Sequence, residues 1–329
     1  MPRMGNGAKI SGVLTERGVP GRDVTVTLSN ELVHILSEQM YRSPTKAIEE
    51  LVVNSYDADA TRCDVFVPLS PDDTPWVAVF DNGHGMDDVG LQDLWQIGRS
   101  NKRDSAVQSR LQRKLIGKFG IGKLATYSIA SLVTYVSKHE GSVRGVTLDY
   151  RAFQRDPTGG KPIKLSVQSL AEDVLADGPF ADVIERLEVS GEIASPSWTL
   201  VVLEDLKPKM GRIRRRDLSW VLSSAMPLGT DFALRLNATE VESRKASFEE
   251  IASFSVTDLP GSKLKSLEEN TGSNWRVEGD ALMSDTFPGG IRGRVLVTAQ
   301  SLYTGKSADL ARSHGFFVRV RERLVDEAD

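Results

Sequence analysis

Hydrophobic positions along the chain change their period several times, and each change marks a predicted element. Asp23-Val24-Thr25-Val26-Thr27-Leu28 alternates and is β-branched, which predicts a short strand. Leu32, Ile35, Leu36 and Met40 then recur at helical spacing behind Ser29 or Asn30 as a cap. His34 on that helix reads as an ordinary surface or core histidine. A second helix is predicted from Ser43, which can cap it, and Pro44, whose missing N–H is harmless in a first turn. Ala47, Ile48, Leu51 and Val52 supply its apolar side. Cys63-Asp64-Val65-Phe66-Val67 and Trp76-Val77-Ala78-Val79-Phe80 read as neighbouring core strands, joined by the turn-forming Pro71-Asp72-Asp73-Thr74-Pro75. Val89, Leu91, Leu94 and Trp95 predict a short helix after them.

Farther on, Leu132–Val136 and Val143–Leu148 predict an antiparallel pair closing on Gly141. Residues 153–198 say least, beyond one helix around 178–188. Trp198-Thr199-Leu200-Val201-Val202-Leu203 is a further strand. A domain boundary is expected near 207–212, at Lys207-Pro208-Lys209-Met210-Gly211. A basic patch from Arg212 to Asp217 precedes a helix carrying Leu218, Trp220, Val221 and Leu222. Such patches are usually solvated faces, although contact with DNA is conceivable. Phe232–Asn237, Arg292–Val297 and Phe316–Arg321 read as later strands. Residues 1–22, punctuated by Gly and Pro, are expected to be a flexible segment.

Composition narrows the class. The 329 residues have room for a substantial core and two domains. A net charge of −4 with mixed signs argues against a globally basic nucleic-acid binder. No run of about eighteen apolar residues occurs, so no membrane span is expected. The start lacks the apolar core of a signal peptide, and a cytoplasmic protein is the expectation. The single cysteine, Cys63, excludes an internal disulfide and any multi-cysteine zinc site, and reads as a buried structural thiol.

Three stretches carry candidate chemistry. On the helix after Pro44, Glu50, Asn54 and Asp57 fall at i, i+4 and i+7 and share one face. A mid-helix Asn is a poor helix former, so this polar row looks placed for a ligand rather than for solvent. The strand ending at Phe80 runs straight into Asp81-Asn82-Gly83-His84-Gly85-Met86, where a buried carboxylate is a strong hydrogen-bond acceptor. Gly117-Lys118-Phe119-Gly120-Ile121-Gly122-Lys123 then opens a helix, a geometry whose backbone amides and dipole hold anions. The polar, charged segment between the last two has the composition of a mobile lid.

Each motif alone recurs by chance. Their order, Glu-x3-Asn-x2-Asp-Ala, Asp-x-Gly-x-Gly-Met, Gly-x2-Gly-x-Gly, resembles the GHKL superfamily of Bergerat-fold ATPases: gyrase B, heat-shock chaperones, MutL and MORC proteins. The resemblance implies an α+β chain, with a two-layer Bergerat sandwich (a mixed sheet with helices on one face) over residues 23–208 and a lid at about 97–118. A transducer-like (S5-like) α+β domain would occupy 209–329. It implies ATP and Mg²⁺ as ligands, with Glu50 as general base, Asn54 holding the metal and Asp57 shaping the helix end or joining the base network through water. Asp81, Gly83, Gly85, Met86 and Thr199 would take the adenine. Gly117, Gly120, Ile121, Gly122 and Lys123 would cradle the phosphates, with Ser100, Lys102 and Arg99 reaching them from the lid. Lys123 replaces the family's usual aromatic, and Trp198 replaces the glycine before Thr199. The implied activity is slow Mg²⁺-dependent ATP hydrolysis that drives lid closure and homodimerisation, coupled to a protein client or to DNA. Two readings stand beside it: a nucleotide-gated binding or scaffold module with little hydrolysis, and a histidine-kinase-type ATP-binding domain.

Overall fold

The computed structural model describes residues 9–26, 44–70, 73–94, 111, 113, 122–154, 163–208, 210, 213–226, 228, 231–242, 250–298, 316–320 and 323–328. They fall into two compact units, one of residues up to 242 with 316–328 and one of residues 250–298. The expected helix carrying Leu32 to Met40, the Ser43 cap, and the lid span 97–118 other than Leu111 and Arg113 lie outside the described residues.

In the first unit α1 (Ile10–Arg17) and β1 (Val19–Val26) precede α2 (Pro44–Asp57), β2 (Arg62–Phe66), β3 (Trp76–Asp81) and α3 (Asp88–Leu94). A 3-10 turn over Gly122–Ser128 leads into β4 (Ala130–His139), β5 (Ser142–Asp149) and β6 (Ile163–Leu170). Next come α4 (Gly178–Leu187), β7 (Trp198–Leu206), α5 (Arg215–Ala225), β8 (Ala233–Leu236) and β9 (Thr239–Glu240). The strands form one 9-stranded sheet in the order β1-β6-β5-β4-β7-β3-β2-β8-β9. Its pairings are antiparallel except that β8 runs parallel to β2. The expected pair closing on Gly141 is β4 and β5, with Gly141 at φ +80 in the tight turn.

Strand alternation sends neighbouring side chains to opposite faces. Val77 and Val79 of β3, Val133 and Tyr135 of β4, and Val201 and Leu203 of β7 face one core, covered by Ala47, Ile48, Leu51 and Val52 of α2. Ala78, Phe80, Val136, Leu200 and Val202 face the other, covered by Ile10 and Leu14 of α1 and Phe180, Val183, Ile184 and Leu187 of α4. This mixed sheet with helices is the expected fold class, but helices cover both of its faces where the expectation had them on one. The reason lies in α4, whose apolar residues recur at 180, 183, 184 and 187 and need a surface to bury against.

Two boundary expectations are corrected. Residues 10–22, expected to be flexible, form a docked helix and the first half of an edge strand, which runs on into the strand expected from Asp23 and pairs with β6. Glu204 of β7 secures the helix start: its Oε1 accepts from the Ile10 N–H at 2.7 Å and its Oε2 from the Ser11 N–H at 3.2 Å. A carboxylate there satisfies orphan amides and suits the positive end of the helix dipole. Burial pushes the Glu204 carboxyl up, opposed by those same amides. Gly145 of β5 leaves room for the helix, since a Cβ there would lie 2.4 Å from Leu14 Cδ1. The expected boundary at 208/209 also moves. Leu218, Leu222, Met226, Phe232, Leu234, Leu236 and Val241 all belong to the α2 core, and β8 extends the same sheet.

The second unit holds β10 (Glu250–Ser255), α6 (Gly261–Thr271), β11 (Trp275–Glu278), β12 (Ala281–Ser284) and β13 (Arg294–Thr298). Its strands pair as β10 with β13 and β11 with β12. The expected late strand at Phe316 is β14 (Phe316–Val320), paired with β15 (Arg323–Ala328) and grouped with the first unit. No helix among the described residues is long and apolar enough to cross a membrane.

Docking of α1 is testable through Leu14, which is 2% exposed. Leu14→Ala should lower unfolding stability by about 2–5 kcal/mol in a urea titration. An unchanged midpoint would mean that the helix leaves the sheet in solution.

Candidate functional site

The α2 face of the sheet is apolar along its middle and turns polar at one level. On β3 the stripe Val77, Val79 continues to Asp81; on β4 the stripe Val133, Tyr135 continues to Ser137; on β7 the stripe Leu203, Val201 continues to Thr199. The register sets these three side by side, with Asp81 opposite Thr199 and Thr199 opposite Ser137. Cys63 of β2 extends the row opposite Asp81 as a fully buried thiol, whose pKa burial pushes well up.

Each member of the row is held. Asp81 is 5% exposed; its Oδ2 accepts from the Ser55 hydroxyl of α2 at 3.0 Å and its Oδ1 from the Gly83 N–H at 3.0 Å. Burial nevertheless raises its pKa from 3.8 to about 6, against those two hydrogen bonds and the nearby His84. Ser137 Oγ accepts from the Met86 N–H at 2.8 Å, donates to the Trp198 carbonyl at 3.0 Å, and lies 3.2 Å from Thr199 Oγ1. Trp198 fits without the glycine expected there. Its ring turns to the other face beside Phe80 and donates to the Ile193 carbonyl at 3.1 Å, which leaves Thr199 in register.

The turn after Asp81 is tied down by backbone. Asn82 Oδ1 accepts from the Thr61 and Arg62 N–H groups, each at 2.9 Å, and His84 N–H donates to the Ala58 carbonyl at 2.9 Å. A Cβ on Gly83 would meet the Ala58 carbonyl at 2.6 Å; one on Gly85, at φ +65, would meet the Lys138 carbonyl at 1.9 Å. What these glycines admit is therefore protein backbone, which aims Met86 and the carboxylate of Asp81. Met86 is part-buried against the α2 core.

Helix α2 is buried along most of its length, and the residues left part-exposed are Pro44, Lys46, Glu50, Asn54 and Tyr56. Lys46, Glu50 and Asn54 stand one turn apart in a single stripe. The adjacent glutamates thus separate: Glu49 is fully buried and lies 2.8 Å from Lys46 Nζ, whereas Glu50 reaches the open stripe. Asp57, expected on the same face, is 7% exposed at the helix end. The 3-10 turn Gly122–Ser128 packs against α2, with Ala125 in the shared core. Gly122 and Lys123 open that turn; the Lys123 side chain, together with Arg99, Ser100, Lys102, Gly117, Gly120 and Ile121, lies outside the described residues.

Ser55 and Ser137 were not singled out from the sequence. The available signal was positional: a serine beside Asn54, and a serine ending an alternating apolar run on β4. Chemically, the row offers carboxylate and hydroxyl oxygens at the edge of an apolar floor, which suits a flat group carrying N–H donors. The α2 stripe adds a carboxylate and an amide oxygen one turn apart, and an amide oxygen is a hard donor that suits a magnesium ion keeping most of its waters.

Residues 41–175 match the family described as histidine kinase-, DNA gyrase B-, and HSP90-like ATPase. A type II restriction enzyme candidate of Herpetosiphon aurantiacus, HgiDII, is 28% identical over 188 residues, covering 56% of this chain and 26% of that protein. The chaperone protein HtpG of Acinetobacter baylyi is 23% identical over 235 residues, 61% of this chain and 37% of the chaperone. An endoplasmin homolog of Hordeum vulgare is 24% identical over 189 residues, 48% of this chain and 23% of that one. The chain thus spans well under half the length of these relatives.

The raised pKa of Asp81 has a defined sign. Its neutral form stabilises the ligand-free fold fully below pH 3.8, and that contribution is lost as the pH rises through about 6. Urea unfolding should show a fall of up to about 3 kcal/mol across this window, and Asp81→Asn should flatten it. An identical pH profile in the variant would remove Asp81 as its source.

Proposed function

We propose that the chain, whose residues 41–175 match the histidine kinase-, DNA gyrase B-, and HSP90-like ATPase family, is a GHKL-type ATPase that binds ATP and hydrolyses it slowly. The observation that carries the reading is the polar row Asp81–Thr199–Ser137 at the edge of the sheet core, set beneath a helix whose open stripe carries Glu50 and Asn54. Asp81, once ionised, accepts the exocyclic N–H of adenine, and Met86 packs on the ring as an adaptable apolar surface. Glu50 positions an attacking water and takes its proton. Asn54 holds Mg²⁺, which when bound neutralises phosphate charge. The backbone amides around Gly120, Ile121 and Gly122 cradle the phosphates, with Lys123, Ser100 and Lys102 beside them, and Asp57 keeps the end of α2 in shape. Catalysis of this kind is mostly positioning, so turnover is slow until the lid closes.

The output is conformational: ATP favours a closed dimer and hydrolysis releases it. The likeness to HgiDII, a restriction enzyme by name, favours DNA over a protein client as the coupled partner. Exposed Arg214, Arg215 and Arg216 at the start of α5 supply phosphate contacts for it.

ATP turnover with Mg²⁺, measured beside nucleotide binding over a protein concentration series, tests the reading. Glu50→Ala should bind ATP within about threefold of wild type yet lose about 100-fold or more in rate, and Asn54→Ala should lose the metal dependence. Undiminished turnover in Glu50→Ala would sink the general-base role. Tight binding with no turnover at any concentration would favour a nucleotide-gated module instead.

A further inference from the structure

The hydroxyl of Ser137 stands at a junction of three contacts, and their chemistry fixes where the protons lie. A serine hydroxyl has one proton to donate and two lone pairs to accept with. The Met86 N–H, at 2.8 Å, can only donate; the Trp198 carbonyl, at 3.0 Å, can only accept. With one lone pair and the proton assigned, the remaining contact, Thr199 Oγ1 at 3.2 Å, is satisfied when Thr199 donates into the second lone pair. Ser137 is wholly buried and Thr199 is 7% exposed, so no alternative partner from bulk water competes at Ser137.

We infer that Ser137 is a positioning residue that sets the polarity of the nucleotide site. By consuming the Thr199 proton it leaves Thr199 Oγ1 with only lone pairs to show the ligand. Thr199 and Asp81 face each other in register, so with Asp81 ionised the row presents acceptors alone. Such a row selects a 6-amino purine, whose N–H donors it satisfies, and rejects a 6-oxo purine, which would aim a carbonyl oxygen at unprotonated oxygens. The same hydroxyl anchors the Met86 amide, so the turn that carries the apolar contact to the base and the polarity of the row share one atom.

The assignment rests on the ATP-site reading and is tested separately from it. Binding of ATP and of inosine triphosphate, each with Mg²⁺, is measured on the full chain for wild type, Ser137→Ala, Ser137→Thr and Thr199→Val. The ratio of the two affinities is the readout, because a general loss of stability moves both alike. Wild type should prefer ATP; Ser137→Ala should weaken ATP binding about tenfold and cut the preference about tenfold, and Ser137→Thr, which keeps the hydroxyl, should restore the preference. Thr199→Val removes the acceptor that Ser137 orients, without touching the Met86 turn, and should also cut the preference; if Ser137→Ala does not fold, an unchanged preference in Thr199→Val overturns the assignment. A wild type that prefers ATP beside foldable variants that keep its preference overturns the role of Ser137 alone. A wild type that binds neither nucleotide overturns the ATP site, and this assignment with it.

Discussion

Burying a carboxylate at the end of a core strand is the constraint around which the first unit is built. Asp81 cannot be ionised cheaply in that setting, and it cannot be left without donors. The chain meets this with the Ser55 hydroxyl from α2, the Gly83 amide from the following turn, and the absence of side chains at Gly83 and Gly85. Each solution ties a different element to the same point. The helix is fixed over the sheet, the turn is folded back on Ala58 and Lys138, and three strands are held in one register. A group so placed is poised: its neutral form suits the ligand-free protein, and its charged form suits a ligand that brings N–H donors.

The opposite face serves this arrangement from behind. Phe80 and Trp198, the neighbours of Asp81 and Thr199 along their strands, are fully buried there against the α1 and α4 layer. Packing on one side therefore limits how far the polar row on the other can shift, because the two sets of side chains alternate on the same backbones. Glu204 extends the theme, since one end of β7 carries Thr199 of the polar row and the other holds the start of α1.

The parts legible in the sequence were those written in local pattern. The β2 and β3 strands, the helix after Pro44, the hairpin at Gly141 and the helix near 178–188 follow from periodicity and turn residues, and the family follows from three motifs in order. What was not legible depends on long-range pairing. Nothing local says that residues 10–17 dock, because their partner Glu204 lies almost two hundred residues away. The Pro-Lys-Met-Gly stretch at 208–211 reads as a boundary, yet Leu218, Leu222 and Leu234 return to the first core. Ser137 and Ser55 escaped notice because serine is common and its role here arises only from what faces it across the sheet. Spacing alone set Glu50 beside Asn54, whereas the burial of Glu49 against Lys46 needed the fold.

The parallel pairing of β8 with β2 carries a further consequence. β2 is buried on both faces, and its outer backbone groups are covered by β8, reinforced by Arg62 and Arg235, which both reach the buried Asp64. A chain shortened to end at residue 208 would keep every ATPase motif and still present β2 as an open, largely apolar edge. Such an edge recruits other strands, so the shortened protein would associate into sheet-paired aggregates rather than remain a smaller working domain. Residues 231–241 therefore act as a guard strand for the sheet that carries the polar row, and the smallest well-behaved version of that sheet extends through them.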